Sequence, residues 1–334
     1  MDFKLTMRVP ALEPPIALND HILLAGSCFT NHMATRLRTL RFTTLENPNG
    51  IVFNPASIAH HLQRWFTGQQ YTHADLFYHH ELWQSWHFHS AFSHPDREVA
   101  LEGMNRQLMH AHQFLKQANW VVITLGSAFV YQLKDDSLGG QPGQVAANCH
   151  KVPAQHFNHR LLSLVEVTNY LQQIIETVLA AHPQARVIFT ISPVRHYREG
   201  LVENNRSKGL LHNAVGQVQQ QYNRVHYFPA YELVIDDLRD YRFYAEDLVH
   251  PNYAATQYVW EQFKEGCLDA RCQTWISRFE EVWRAFNQKP FHAQNQQHQQ
   301  FLPQYAPKTA ELQKDFPEQN LEELTAYFGP APSR

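Results

Sequence analysis

The sequence predicts an α/β protein built on a mostly parallel sheet. Two observations carry this expectation: short apolar runs without polar alternation recur along the chain, and amphipathic helical stretches separate them. Continuous apolarity marks strands covered on both faces, and consecutive parallel strands need a crossover that a helix supplies. With 334 residues the chain can bury a large core, as one big domain or two ordinary ones.

The strand-length runs are ILLA (22–25), VVITL (121–125), VIFTI (187–191) and VHYF (225–228), with FTTL (42–45) a weaker one. After the first run, Phe29, Met33, Leu37 and Leu40 mark one helical face. NPASIAHHLQRWF opens with Asn54 as N-cap and Pro55 at the first helical position. REVALEGMNRQLMHAHQFLKQ and FNHRLLSLVEVTNYLQQIIETVLAAH are long and periodic, hence helical. Two stretches break the rhythm. Residues 71–94 are aromatic and partly alternating, and read as a short hairpin or ordered loop over the sheet's edge. After about residue 288 the chain is Gln-rich and poor in aliphatics, which predicts a mobile segment followed by two short helices near 308–315 and 317–328. The expected organisation is therefore an α/β domain over 20–268 and a helical extension over 269–334, with no internal repeat.

Composition narrows the functional classes. The chain is 44% hydrophobic and 18% charged, as globular proteins are. Its net charge of 28 − 31 = −3, without a basic stripe, argues against nucleic-acid binding. No run of about 18 apolar residues could span a bilayer, and the first twenty residues lack an apolar core of signal-peptide length, so a cytoplasmic location is expected. Four cysteines (Cys28, Cys149, Cys267, Cys272) are too few for a disulfide framework, and the spacing of the last two fits no usual zinc motif. The 22 histidines, many of them between His60 and His94, are interspersed with aromatics, and without fixed ligand spacing they read better as half-buried rings than as a metal site.

In open α/β sheets, ligands bind beyond the carboxyl ends of the strands. Gly26-Ser27-Cys28 lies at that end of the first strand, at the start of a helix whose free N–H groups favour negative charge. A serine there can attack a carbonyl while N–H groups hold the oxyanion. It can equally well cap the helix. A hydroxyl nucleophile needs a base, and EDLVHPNYAATQYVW (246–260) offers Asp247 and His250 three residues apart. Within one turn the carboxylate can reach the imidazole Nδ1 and leave Nε2 free, the orientation logic of a catalytic triad. Pro251 then fixes the loop and starts a helix.

The segments LLAGSCF (23–29), NPNGIVFNP (47–55), TLGSAFVY (124–131), ANCHKVP (147–153), TISPVRH (190–196) and LRDYRFYAEDLVHP (238–251) resemble the GSCFA-domain family, within the SGNH/GDSL-like hydrolase superfamily. The resemblance runs from about residue 20 to 266. It implies a three-layer flavodoxin-like fold, with Ser27 as nucleophile, His250 as base and Asp247 as its orienter. It also implies an oxyanion hole built from the Ser27 N–H, the N–H of a glycine matched by Gly50, and an asparagine amide in a Gly-x-Asn motif. Gly126-Ser127-Ala128 departs from that motif, with Ala128 where the amide belongs. Losing one such donor costs on the order of 100- to 1000-fold in rate. Asn148 in ANCHK is the expected substitute, against a role confined to stabilising its loop. The superfamily pattern also directs Cys28 to the far side of the turn, as a packed thiol.

Position at the same sheet edge makes Arg195 and His196 candidate substrate contacts, with Gly126 and His150 beside them and His89 between the walls Trp86 and Phe88. The leading expectation is a cofactor-free Ser-His-Asp esterase acting on O-acyl, including O-acetyl, esters of a small molecule or carbohydrate. An acyltransferase using the same acyl-enzyme and a catalytically weak binding module, favoured by Ala128, are the alternatives. A metal hydrolase built on His87, His89, His150 or His196 is more remote.

Overall fold

A computed structural model describes residues 6–288 and 302–329; most of the Gln-rich stretch expected to be mobile lies outside the described residues. The chain begins with β1 (His21–Gly26), α1 (Cys28–Thr39), β2 (Thr43–Glu46) and α2 (Pro55–Thr67). A hairpin, β3 (Phe77–His79) and β4 (Leu82–Gln84), precedes α3 (Arg97–Leu115) and β5 (Trp120–Leu125). Then come β6 (Phe129–Leu133), β7 (Val145–Ala146), β8 (Phe157–Leu161), α4 (Leu164–Ala181), β9 (Arg186–Ile191), α5 (Leu201–Gln221) and β10 (Val225–Phe228). The short α6 (Ala230–Glu232) is followed by α7 (Tyr253–Cys267), α8 (Ala270–Phe286), α9 (Ala306–Asp315) and α10 (Glu322–Phe328).

Five strands form one parallel sheet in the order β2-β1-β5-β9-β10. Counted along the chain this is 2-1-3-4-5, the doubly wound order whose winding reverses between its first and third strands, here β1 and β5. The apolar runs follow from this layering. In β5, Val121, Ile123 and Leu125 enter a core shared with α2, α3, α4 and α5. Trp120 and Val122 enter a second core with α1, α7 and α8 on the opposite face. A strand buried on both sides has no polar face, so no alternation shows in its sequence.

The expected cap of α2 is present: Asn54 Oδ1 accepts the Ser57 N–H at 2.8 Å, with Pro55 in the first turn. The hairpin expected within 71–94 is present too, its turn made by His80 and Glu81, both at positive φ. A second antiparallel sheet, in which β6 pairs with β7 and β8, was not expected. β7 is two residues long and β8 reads Phe-Asn-His-Arg-Leu, so neither offers an apolar run. Phe77, Trp86, Leu133, Ala146, Val152 and Phe157 join hairpin and second sheet in a small third core, with Phe77 stacked on Trp86 at 3.9 Å. Because β6 starts four residues after the end of β5, this subassembly begins at the carboxyl edge of the main sheet.

The C-terminal helices pack on α8, placing Leu312, Phe316, Leu324 and Phe328 in the second core. Pro317 disfavours helical backbone at Phe316 and so ends α9, and the later helix starts at Glu322 rather than near 317 because a turn, with Gln319 N–H on the Phe316 carbonyl at 3.1 Å, intervenes. No helix among the described residues is long and apolar enough to cross a membrane.

Candidate active site

The turn after β1 is held by its neighbours on both sides. Gly26 has φ +143°, and a Cβ there would fall 2.3 Å from the Thr124 carbonyl oxygen, so only glycine lets β1 meet β5 in this register. Asn47 Oδ1 accepts the Gly26 N–H at 2.8 Å, and the Gly26 carbonyl accepts from Val52 N–H at 3.2 Å. Ser27 is buried and is the N-cap of α1, its hydroxyl accepting the Phe29 N–H at 3.3 Å. That bond is long for an N–H donor, so the cap restrains the hydroxyl only weakly.

Asp247 and His250 form the pair that their spacing predicts. Imidazole Nδ1 lies 2.6 Å from Asp247 Oδ2, while Oδ1 accepts the N–H groups of Val249 at 2.9 Å and His250 at 3.0 Å. Leu248, at φ +56°, closes the turn that lets one carboxylate take all three contacts. The two backbone donors and the imidazole hold the Asp247 carboxyl down to about 2, with the His250 N–H foremost. Arg195 N–H donates to the Val249 carbonyl at 3.1 Å, tying this loop to the segment leaving β9. With Nδ1 engaged by a carboxylate, Nε2 is the nitrogen left to accept a proton. Both side chains are about half exposed (50% and 49%), so solvent reaches the pair.

Ser27 and His250 line one cleft of about 590 Å³, within the range of small-ligand sites. Asn148, Arg195 and His196 line it too. It opens at the switch point, where the strand order reverses between β1 and β5 and ligands bind in this fold. Phe53, Phe129, Tyr131 and Val194 give it apolar walls. The His196 ring packs tilted against Phe53, centroids 4.8 Å apart, and burial, with Lys208 and His250 nearby, pushes its pKa down to about 3, so this wall is a neutral ring. Arg195 carries its guanidinium 5.9 and 5.8 Å from the ring centres of Tyr241 and Tyr244.

The other expected residues are placed as follows. Cys28 does not turn away: as the first residue of α1 it lines the cleft beside Ser27, and burial raises its pKa, keeping it a thiol. His89 lies outside the lining, its Cβ position packed against Gly50 and its Nδ1 accepting the Ala91 N–H at 3.2 Å. His150 is largely buried and lines a neighbouring pocket instead, with Nε2 2.8 Å from the Ser85 carbonyl and Nδ1 3.0 Å from Ser90 Oγ, so it ties the hairpin region to the 147–153 loop. Gly126 is under the floor, its N–H on the Phe53 carbonyl at 2.8 Å. Ala128 is 0% exposed, and its N–H donates to Ser207 Oγ at 2.7 Å. Both backbone N–H groups expected to hold an oxyanion have acceptors within the protein: Ser27 N–H on the Thr124 carbonyl at 3.1 Å, and Gly50 N–H on the Asn47 carbonyl at 2.7 Å. Among the described residues no group of three His, Cys, Asp or Glu side chains is placed to hold a metal; His60 and His87 stack at 4.1 Å instead.

Sequence reasoning missed Lys208. It is buried on α5, and its Nζ donates to the carbonyls of Gly126 and Ser192, each at 2.6 Å. Those residues directly follow β5 and β9, so one lysine clamps two strand ends beneath the cleft. The signal was available. Asn204, Lys208, Leu211, Val215 and Val218 follow the buried face of α5, and a lysine in that apolar register is out of place on a solvated helix.

Several solved structures are similar at low identity. One is a carbohydrate esterase family 3 structure from Talaromyces cellulolyticus, 10% identical over 74% of this chain and 95% of that one, with a TM-score of 0.37. A Clostridium thermocellum family 3 carbohydrate esterase is 8% identical over 75% of this chain and 95% of that one, at a TM-score of 0.35. A mutant acetyl esterase solved with an acetate ion is 10% identical over 79% and 99%, at 0.32. No curated protein matches the chain. The model of the GSCFA family matches residues 21–263 and that of the GSCFA domain protein, C-terminal domain, matches residues 279–329: the chain belongs to the GSCFA family.

Proposed function

We propose that this protein is a serine-dependent hydrolase of O-acyl esters, with Ser27 as nucleophile, His250 as general base and Asp247 as its orienting carboxylate. The observation that carries the reading is the shared cleft at the switch point, with Ser27 on one wall and, on another, a His250 whose Nδ1 is 2.6 Å from Asp247. His250 Nε2 takes the Ser27 hydroxyl proton as Oγ adds to the ester carbonyl carbon, and the carbonyl π pair moves onto oxygen. Collapse breaks the bond to the alcohol, which leaves with the proton carried by His250. Water, deprotonated by the same nitrogen, then releases the acid from the acyl-serine. Asp247, held as a carboxylate, stabilises the imidazolium formed in each half-reaction. The apolar wall of Phe53, Phe129 and Val194 suits a small acyl chain such as acetyl, and the open side suits the alcohol, a small molecule or a sugar.

Turnover of p-nitrophenyl acetate and of a peracetylated monosaccharide, compared between wild type and His250→Asn, tests the reading. Hydrolysis by the wild type that falls by about 1000-fold or more in the variant is expected. Equal rates in the two proteins would remove His250 from the mechanism.

A further inference from the structure

We infer that the side-chain amide of Asn54 supplies the oxyanion contact that Ala128 withholds. This rests on the esterase reading and assigns a further catalytic residue within it. Tetrahedral intermediates of acyl transfer need preorganised donors aimed at the developing oxyanion. Two of the groups expected to serve are already engaged, since the Ser27 and Gly50 N–H groups have internal acceptors, and residue 128, an alanine, has no side-chain amide. Asn54 lines the same cleft as Ser27 and His250 and is 5% exposed. Its Oδ1 is fixed by the Ser57 N–H at 2.8 Å, which sets the plane of the amide and turns the NH₂ group away from the helix. Nδ2 has no hydrogen-bond partner within the protein and is not sealed from solvent, so on this cleft-lining residue it is an unspent donor.

The position is locked from both strand ends. Val52 N–H binds the Gly26 carbonyl at 3.2 Å, and the Phe53 carbonyl accepts Gly126 N–H at 2.8 Å and Ser127 N–H at 3.4 Å. Residue 54 therefore follows directly on a strap between the Ser27 turn and the Gly126-Ser127-Ala128 segment, the two places between which an oxyanion hole is needed. Asn148, the substitute expected from sequence, is a weaker fit. Its Oδ1 is likewise held, by His150 N–H at 2.8 Å and Ser90 Oγ at 3.3 Å, but the residue is more exposed than Asn54 and belongs to a loop tied to the hairpin region rather than to the two strand ends. As Ser27 Oγ adds to the carbonyl carbon, the oxygen gains the electron pair and the Asn54 N–H bond to it shortens. No proton is transferred at that step by Asn54.

The helix-capping duty of Asn54 can be separated from the proposed one. Serine and aspartate also cap helices but carry no NH₂, whereas alanine loses both functions. Asn54→Ser and Asn54→Asp are therefore compared with Asn54→Ala, Asn148→Ala and wild type, by thermal unfolding and by kcat and KM on p-nitrophenyl acetate. Asn54→Ser is expected to unfold within a few degrees of wild type, yet to lose on the order of 100- to 1000-fold in kcat with KM little changed. Asn54→Asp should lose at least as much, because a carboxylate repels the oxyanion, and Asn148→Ala should stay within about tenfold of wild type. Wild-type kcat in Asn54→Ser, or the large loss appearing in Asn148→Ala instead, would overturn the assignment and leave the esterase reading standing. A wild-type protein that neither hydrolyses the ester nor accepts a fluorophosphonate on Ser27 would sink both.

Discussion

Replacing Lys208 by methionine should make the stability difference from wild type depend steeply on pH. Lys208 is 2% exposed, and its two hydrogen-bond partners are neutral carbonyls rather than carboxylates. Burial lowers its pKa from 10.5 to about 7. The titratable groups around it are Cys28, His196, His212 and Tyr231, and the thiol and ring groups supply no fixed negative charge near neutrality. A neutral amine still has two N–H bonds, one for each carbonyl, so deprotonation keeps the clamp while removing the buried charge. The sign follows from proton counting. Between about pH 7 and 10.5 the unfolded chain binds the proton that the native chain has shed, so native stability rises with pH through that window. The slope approaches about 1.4 kcal/mol per pH unit, and the whole window amounts to roughly 5 kcal/mol at most. Methionine cannot titrate and strands both carbonyls, at about 1–3 kcal/mol each. The variant should therefore be clearly less stable than wild type near pH 9.5, with the gap closing or reversing towards pH 7. Urea unfolding of both proteins at four or five pH values between these limits measures it, since distant titrations cancel in the difference. A gap that stays constant with pH would refute the reasoning, because Lys208 would then keep the same protonation in native and unfolded chains.

Three further outcomes are expected. Asp247 is held ionised down to about pH 2, so Asp247→Asn should lower kcat by on the order of 100- to 10,000-fold throughout the range above about pH 4, rather than move the acid limb of the pH profile. Gly26→Ala would put a methyl group 2.3 Å from the Thr124 oxygen at a φ of +143°, and should cost about 3 kcal/mol or more in denaturant unfolding, with a wild-type midpoint counting against the packing of β1 on β5. Phe316→Ala removes a buried ring 5.1 Å from Trp275 and should cost about 3–5 kcal/mol in a single cooperative transition; a separate early transition would show that the C-terminal helices unfold on their own.

What could be read from the sequence follows from what is local. The central strands of the main sheet were legible because residues such as Val121 and Val122 are both apolar yet belong to opposite cores, which leaves an unbroken run, whereas edge strand β2, with Thr43 exposed, was legible only weakly. Asp247 and His250 were legible because three residues of spacing bring them together within one turn. The second sheet was not: β6, β7 and β8 depend on pairing across a long excursion, and Asn158, His159 and Arg160 point to no core. The histidines misled for a related reason. His89 and His150 stand near motif residues in the chain, but His89 Nδ1 is spent on Ala91 and both His150 ring nitrogens on Ser85 and Ser90, contacts that no spacing rule encodes. Asn54 was legible as a cap, while its second face, open to the cleft, emerges only once Val52 and Phe53 are seen strapped across the two strand ends.

The most direct test of the central claim is adduct mapping with a fluorophosphonate. Wild type, Ser27→Ala and His250→Asn are incubated with the probe, digested and analysed by mass spectrometry. One adduct is expected, on Ser27, absent from Ser27→Ala and slowed by at least about 100-fold in His250→Asn, since the hydroxyl is a weak nucleophile without its base. Labelling of Cys28 or another side chain in place of Ser27, or no adduct at all, would contradict it.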